Sequence, residues 1–181
     1  MENRSDVLVF TSPLLEQPYE ATGPVKAQLF ISSDCPDTDF TMKLTDIYPD
    51  GRSMFITDGI LRMRNRNGQD HWELMQPGVI YEVEVDLWST SYVWNTGHRI
   101  CVEVSSSNYP RFLNNPNTAE GIGKNTTYNI ARNMVYVDMD HPSCILLPEP
   151  INERVKITSL PTPMSSFRIR LYNLFFSLLF T

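Results

Sequence analysis

Residues 81–117 read YEVEVDLWSTSYVWNTGHRICVEVSSSNYPRFLNNPN, and this stretch decides the fold. Tyr81, Val83, Val85 and Leu87 alternate with Glu82, Glu84 and Asp86. A period of two places the apolar set on one face of a strand and the acids on the other. The spacing then predicts a loop carrying Trp88, Tyr92 and Trp94. A turn follows at Gly97, where the missing Cβ opens backbone conformations closed to other residues. The next strand is entered by the polar pair His98-Arg99 and buries Ile100, Val102 and Val104. It ends in the turn-forming cluster Ser105-Ser106-Ser107-Asn108. Two strands with a short connection point to an all-β core.

The same pattern extends outward. Val7–Phe10 reads as a first strand and residues 12–24 as a proline-rich loop. Val25, Ala27, Leu29 and Ile31 alternate with Lys26, Gln28 and Phe30, so the odd positions face the core. Phe30, on the other face, calls for a second layer or a partner to cover it. Phe40, Met42 and Leu44 mark the next strand, and Pro49-Asp50-Gly51 the turn that closes a hairpin over residues 39–57. Extended chain continues through Ile60–Met63, with Arg62, Arg64 and Arg66 on one strand face as a solvated or ion-paired row. Asn67-Gly68 and Pro77-Gly78 are breaks. Met134–Asp138, Ile145–Leu147 and Glu153–Thr158 complete the set. Roughly seven to nine short strands, with no helical period, argue a β-sandwich. Pattern alone does not separate a jelly roll from an immunoglobulin-like sandwich.

The chain of 181 residues suits one domain. Net charge is −6 with no long basic run, which argues against nucleic acid and anionic membrane surfaces as partners. Cys35, Cys101 and Cys144 are odd in number and widely spaced, so a disulfide framework or zinc ribbon is not expected. The first ten residues, MENRSDVLVF, do not read as a signal peptide, and a cytoplasmic location is expected. The sequon at Asn125 reads as chance. The apolar run Leu171–Phe180 is shorter than the ~20 residues a membrane span needs. It reads as a terminal element packed on the domain or a tail covered by another domain, with a non-native frame and a membrane anchor as the alternatives.

Four motifs carry a family resemblance. GHRICVEVSSSNYPRFLNNPNT (97–118) resembles the C-terminal non-catalytic domain of the X-Pro dipeptidyl-peptidase and cocaine-esterase family of serine hydrolases. SDCPDTDFTMKLTDIYPDGRS (33–53), DGILRMRNR (58–66) and HPSCILLPEP (141–150) match the same domain in the same order. The resemblance implies a galactose-binding-like jelly-roll β-sandwich over residues 6–160. Residues 161–181 are then an apolar tail that departs from the family. It also implies an α/β-hydrolase domain as partner in cis, on which this domain packs and whose substrate pocket it helps to shape. The parent would be a dipeptidyl-peptidase or acyl esterase. Asp37, Asp39, Asp46, His98, Arg99, Arg111, Asn114 and Asn117 fall in the matched motifs and are assigned to structure.

Catalytic residues are not expected in this chain. A hydrolase of the α/β type presents its serine on a Gly-x-Ser-x-Gly elbow, which does not occur here. His98, Ser107 and Asp86 are the right types for acyl transfer, but His98 and Ser107 lie roughly 30 Å apart along one strand at about 3.3 Å per residue. Asp34, Asp37 and Asp39 could offer oxygens to calcium. An Asx-rich turn, or pairing to Arg62 or Arg99, explains them as well, and neither metal nor cofactor is assigned. Gly121–Asn125 is a poor match to a phosphate loop. The binding candidates are Trp88, Tyr92, Trp94, Asn108 and Tyr109, the aromatics because each buries much area at small entropic cost. The aromatics read equally as filling the core edge. The alternative function is a free-standing carbohydrate- or protein-binding module using the aromatic stretch.

Overall fold

The computed structural model describes residues 4–120, 123 and 127–148, with the backbone of 166–170. Nine strands form among them: β1 (Val7–Thr11), β2 (Tyr19–Ser33), β3 (Asp39–Ile47), β4 (Ser53–Arg62), β5 (Tyr81–Trp94), β6 (Arg99–Ser105), β7 (Asn133–Tyr136), β8 (Cys144–Pro148) and β9 (Ser166–Arg170). One sheet runs β1-β6-β3-β4. The other runs β5-β2-β8-β9, with β7 also paired to β2. Every pairing is antiparallel. The molecule is an all-β sandwich, as the alternation of its sequence demands.

The inward rows meet as one core. Val25, Ala27, Leu29 and Ile31 from β2 and Val83, Val85 and Leu87 from β5 pack against Phe40, Met42 and Leu44 from β3 and Ile100, Val102 and Val104 from β6. The predicted hairpin forms between β3 and β4, and Gly51 takes the positive φ (86°) its turn requires. Phe30 needs no outside partner. It is covered by the ring of His141 at 5.6 Å, which also meets Tyr136 at 5.4 Å.

Three expectations are corrected, and the sheet membership of β5 and β6 is added. Residues 88–94 are not a loop but the second half of β5. β5 and β6 do not pair; the Gly97 turn carries the chain from one sheet to the other. β2 begins at Tyr19, inside the stretch read as a loop. Arg62, Arg64 and Arg66 do not share a strand face, because β4 ends at Arg62 and a short 3-10 turn, Met63–Asn65, follows. The strand expected at 153–158, the sequon, the phosphate-loop-like residues other than Gly123 and the apolar run 171–180 lie outside the described residues. Within the stretch read as tail, residues 166–170 pair with β8.

The β5 error has one cause. Pro24 pairs with Ser89 and Lys26 with Asp86, so Leu87 and Trp88 together face Val25. This is a β-bulge, with Trp88 at φ 65° and its N–H donated to Asp86 Oδ1 at 2.8 Å. Inward positions are odd before the bulge and even after it (Thr90, Tyr92, Trp94). At the same place the two sheets close on each other. Gly59 of β4 lies flat against the backbone of Asp86, and Thr57 Oγ1 donates to the Leu87 carbonyl at 2.5 Å. A Cβ on Gly59 would overlap the Asp86 carbonyl oxygen, a backbone atom that cannot swing away. Gly59→Ala is therefore expected to lower the unfolding free energy by about 2–3 kcal/mol, the upper range for overpacking. Denaturant titration checks this; a loss below ~0.5 kcal/mol would contradict the close approach.

Candidate functional site

The acidic turn before β3 supplies buried carboxylates, and burial obliges each to find donors. Asp37 Oδ2 receives Arg64 Nε at 2.7 Å and Asn115 Nδ2 at 2.8 Å, while its Oδ1 receives the Arg64 backbone N–H at 2.9 Å. Asp39 takes a two-pronged pair from Arg62, at 2.9 and 2.8 Å, and a further bond from Asn115. The Arg64 guanidinium goes on to donate to the carbonyls of Thr118 and Glu120, both at 2.8 Å. Burial pushes the Asp39 carboxyl above the ordinary carboxylate range, against the opposing pull of Arg62 and Asn115. Asp39 in turn raises the Arg62 guanidinium through their hydrogen bonds. The expected pairing of the acidic turn to Arg62 is present. Arg99 instead donates to the Ser12 carbonyl at 2.8 Å. Asp34 accepts the Arg132 N–H at 2.7 Å, so the three aspartates turn to nitrogen donors rather than to a common centre.

A second cluster sits at the other end of β3. His98 Nδ1 lies 2.8 Å from Asp46 Oδ2, and Tyr92 donates its hydroxyl to the same oxygen at 2.9 Å. Burial, then the Asp46 carboxylate, raises the Tyr92 phenol above its ordinary range. The His98 ring packs at a tilt against Tyr48, 4.4 Å between centroids. Among the described residues no serine hydroxyl bonds to the His98 ring, and Ser107 lies beyond the far end of β6, its hydroxyl 3.5 Å from Arg4. The His98–Asp46 pair fixes a strand entrance.

The binding candidates are not brought together. Trp94 is fully buried, donating Nε1 to the Thr45 carbonyl at 3.3 Å, and Tyr92 packs edge-on against it at 5.1 Å. Trp88 is 68% exposed and lies across the bulge from them. Asn108 is buried and donates Nδ2 to Asp58 at 3.1 Å, whereas its neighbour Tyr109 is 67% exposed. Among the structural candidates, Asn117 adopts φ 59° and exchanges bonds with Asn129. Asn114 is exposed; the residue that bridges the two buried aspartates is Asn115. Asp58 and Asn115 were not singled out by sequence reasoning, and Arg64 was read only as one of a solvated or ion-paired row of arginines. The available signal was that two buried acids need more donors than one arginine supplies.

Beside the loop that follows β6, a groove of about 390 Å³ is lined by Ile60, Leu61, Arg62, Asn65, Gln69, Arg111, Phe112 and Leu113. Two of the four quoted motifs, 58–66 and 97–118, supply all of these residues but Gln69.

A family model for the X-Pro dipeptidyl-peptidase C-terminal non-catalytic domain matches residues 1–146. The chain belongs to this family. It is similar to the cocaine esterase of Rhodococcus sp. (strain MB1 Bresler), 45% identical over 150 residues that cover 82% of this chain and 26% of the esterase. Among solved structures it resembles an aminopeptidase from a marine sediment archaeon, Thaumarchaeota archaeon, at TM-score 0.76 and 28% identity, covering 80% of this chain and 26% of that one. An alpha-amino acid ester hydrolase matches with the same score and identity, over 81% and 26%. The chain thus spans about a quarter of the length of these relatives. No helix among the described residues is long and apolar enough to cross a membrane.

The buried pair gives a stability test. Removing one partner of a buried ion pair strands the other in a dry site, at a cost of about 3–5 kcal/mol. Arg64→Met is expected to fall in that range, and Asp50→Asn, in the exposed Asp50–Arg52 pair, to leave stability nearly unchanged. Equal losses in chemical denaturation would contradict the assignment.

Proposed function

We propose that this chain is the non-catalytic C-terminal β-sandwich of a serine hydrolase of the dipeptidyl-peptidase or acyl-esterase kind. It packs on an α/β-hydrolase domain in cis and helps to wall that domain's substrate pocket. The observation that carries this reading is the family match over residues 1–146 in a chain that spans 26% of a cocaine esterase. Two features support it. The sequence has no Gly-x-Ser-x-Gly elbow, and among the described residues the buried His98 ring bonds to Asp46 and to no serine hydroxyl. A rigid sandwich beside a pocket positions substrate and excludes water without touching the bond that breaks.

In this reading the domain comprises residues 6–160, with galactose-binding-like jelly-roll connectivity and a cytoplasmic location. Residues 161–181 are an appended tail that lends the second sheet an edge strand. The contact candidates are the Ser105–Phe112 loop and the aromatic stretch Trp88–Trp94. The alternative, a free-standing binding module on that aromatic stretch, is weakened by the burial of Trp94, which leaves Trp88 as its one largely exposed ring.

The folded chain is expected to resist labelling by a fluorophosphonate probe and to leave p-nitrophenyl esters intact. A single serine labelled in the native chain, and unlabelled after denaturation, would overturn the non-catalytic assignment.

A further inference from the structure

The loop after β6 is tied down from beneath and bare on top. Beneath, Asn108 donates to Asp58, the Phe112 N–H donates to the Asn108 carbonyl at 3.1 Å, and Asn115 is bonded to two buried aspartates. On top, Tyr109 and Leu113 are each 67% exposed. Leu113 and Phe112 border the 390 Å³ groove, whose other apolar lining is Ile60 and Leu61. Arg111 also lines the groove. Its side chain is 63% exposed, and it meets Asp58 at 3.6 Å, longer than a hydrogen bond. Its guanidinium is therefore placed to accept a carboxylate from outside, in a chain whose net charge is −6.

These features belong together. Buried hydrogen bonds hold an exposed apolar loop in one conformation, so a partner that covers it need supply little ordering free energy. Aromatic and arginine side chains are the usual anchors of interfaces. The aromatic half of β5 offers a single largely exposed ring, Trp88, since Trp94 lies in the core and Tyr92 is committed to Asp46. We infer that the hydrolase domain seats an apolar side chain, flanked by a carboxylate that meets Arg111, in the groove between β4 and residues 108–113. The inference rests on the domain-packing reading above and selects one of its two contact candidates.

Hydroxyl-radical footprinting separates the two claims. Side-chain oxidation is read by mass spectrometry in the free chain and in a chimera where this chain replaces the matching C-terminal part of the Rhodococcus cocaine esterase. Oxidation at Tyr109, Phe112 and Leu113 is expected to fall about fivefold or more in the chimera, as at a desolvated interface core. Trp72 and Met139 are expected to keep their reactivity. Arg111→Glu in the chimera is expected to restore oxidation at Tyr109 toward the free-chain level. Protection at Trp88, Trp72 or Met139 with Tyr109 unprotected would overturn the inference and leave domain packing intact. No protection anywhere, in a chimera whose hydrolase portion still reacts with fluorophosphonate, would remove the packing reading itself.

Discussion

Two carboxylates, Asp37 and Asp39, are almost wholly buried at the end of the sandwich, and the surrounding chain is arranged to pair them. A buried unpaired carboxylate is costly enough that the chain must bring donors to it. Arg62 comes from the end of β4 and Arg64 from the 3-10 turn beyond it. Asn115 comes from the long connection after β6. Arg64 then reaches the Thr118 and Glu120 carbonyls. One electrostatic requirement thus joins three segments far apart in sequence and gives a definite shape to a connection that has no strand of its own. The groove beside β4 is a consequence of that shape.

Closure of the sandwich depends on a second constraint, the contact of β4 with β5. Gly59 allows the two backbones to touch, and the bulge at Leu87-Trp88 turns β5 so that its second half can continue along β2. The bulge also reverses which residues of β5 face inward. The same event sends Trp94 into the core and leaves Trp88 in water. Sheet closure and the fate of the aromatic residues are therefore one problem.

Much of this architecture was legible because alternation is a direct readout of burial. The rows Val25–Ile31, Phe40–Leu44 and Ile100–Val104 were each placed on the correct face. Periodicity failed where its phase changed. Ser89, Ser91 and Val93 alternate with Thr90, Tyr92 and Trp94, but in opposite phase to Tyr81–Leu87, so a continuous strand read as strand plus loop. It was silent about sheet membership, since β5 and β6 are neighbours in sequence yet lie in different sheets. The candidate site was legible at the level of motifs and not of partners. The pairing of the acidic turn with Arg62 stood among the expectations, and Arg64 was read as one of an ion-paired or solvated row, while the role of Asn115 as a donor to both buried aspartates emerged only in three dimensions.

The two readings of the chain, as one domain of a larger hydrolase or as a module on its own, differ in what surrounds the groove. The family match and the fourfold length of the relatives favour the first. The most direct measurement is the mass of the native gene product in its source cells, by immunoblot against this domain with peptide sequencing by mass spectrometry. The account predicts a product far larger than 20.8 kDa, with an α/β-hydrolase segment carrying a nucleophile elbow ahead of this domain. A mature product of 20.8 kDa would contradict it.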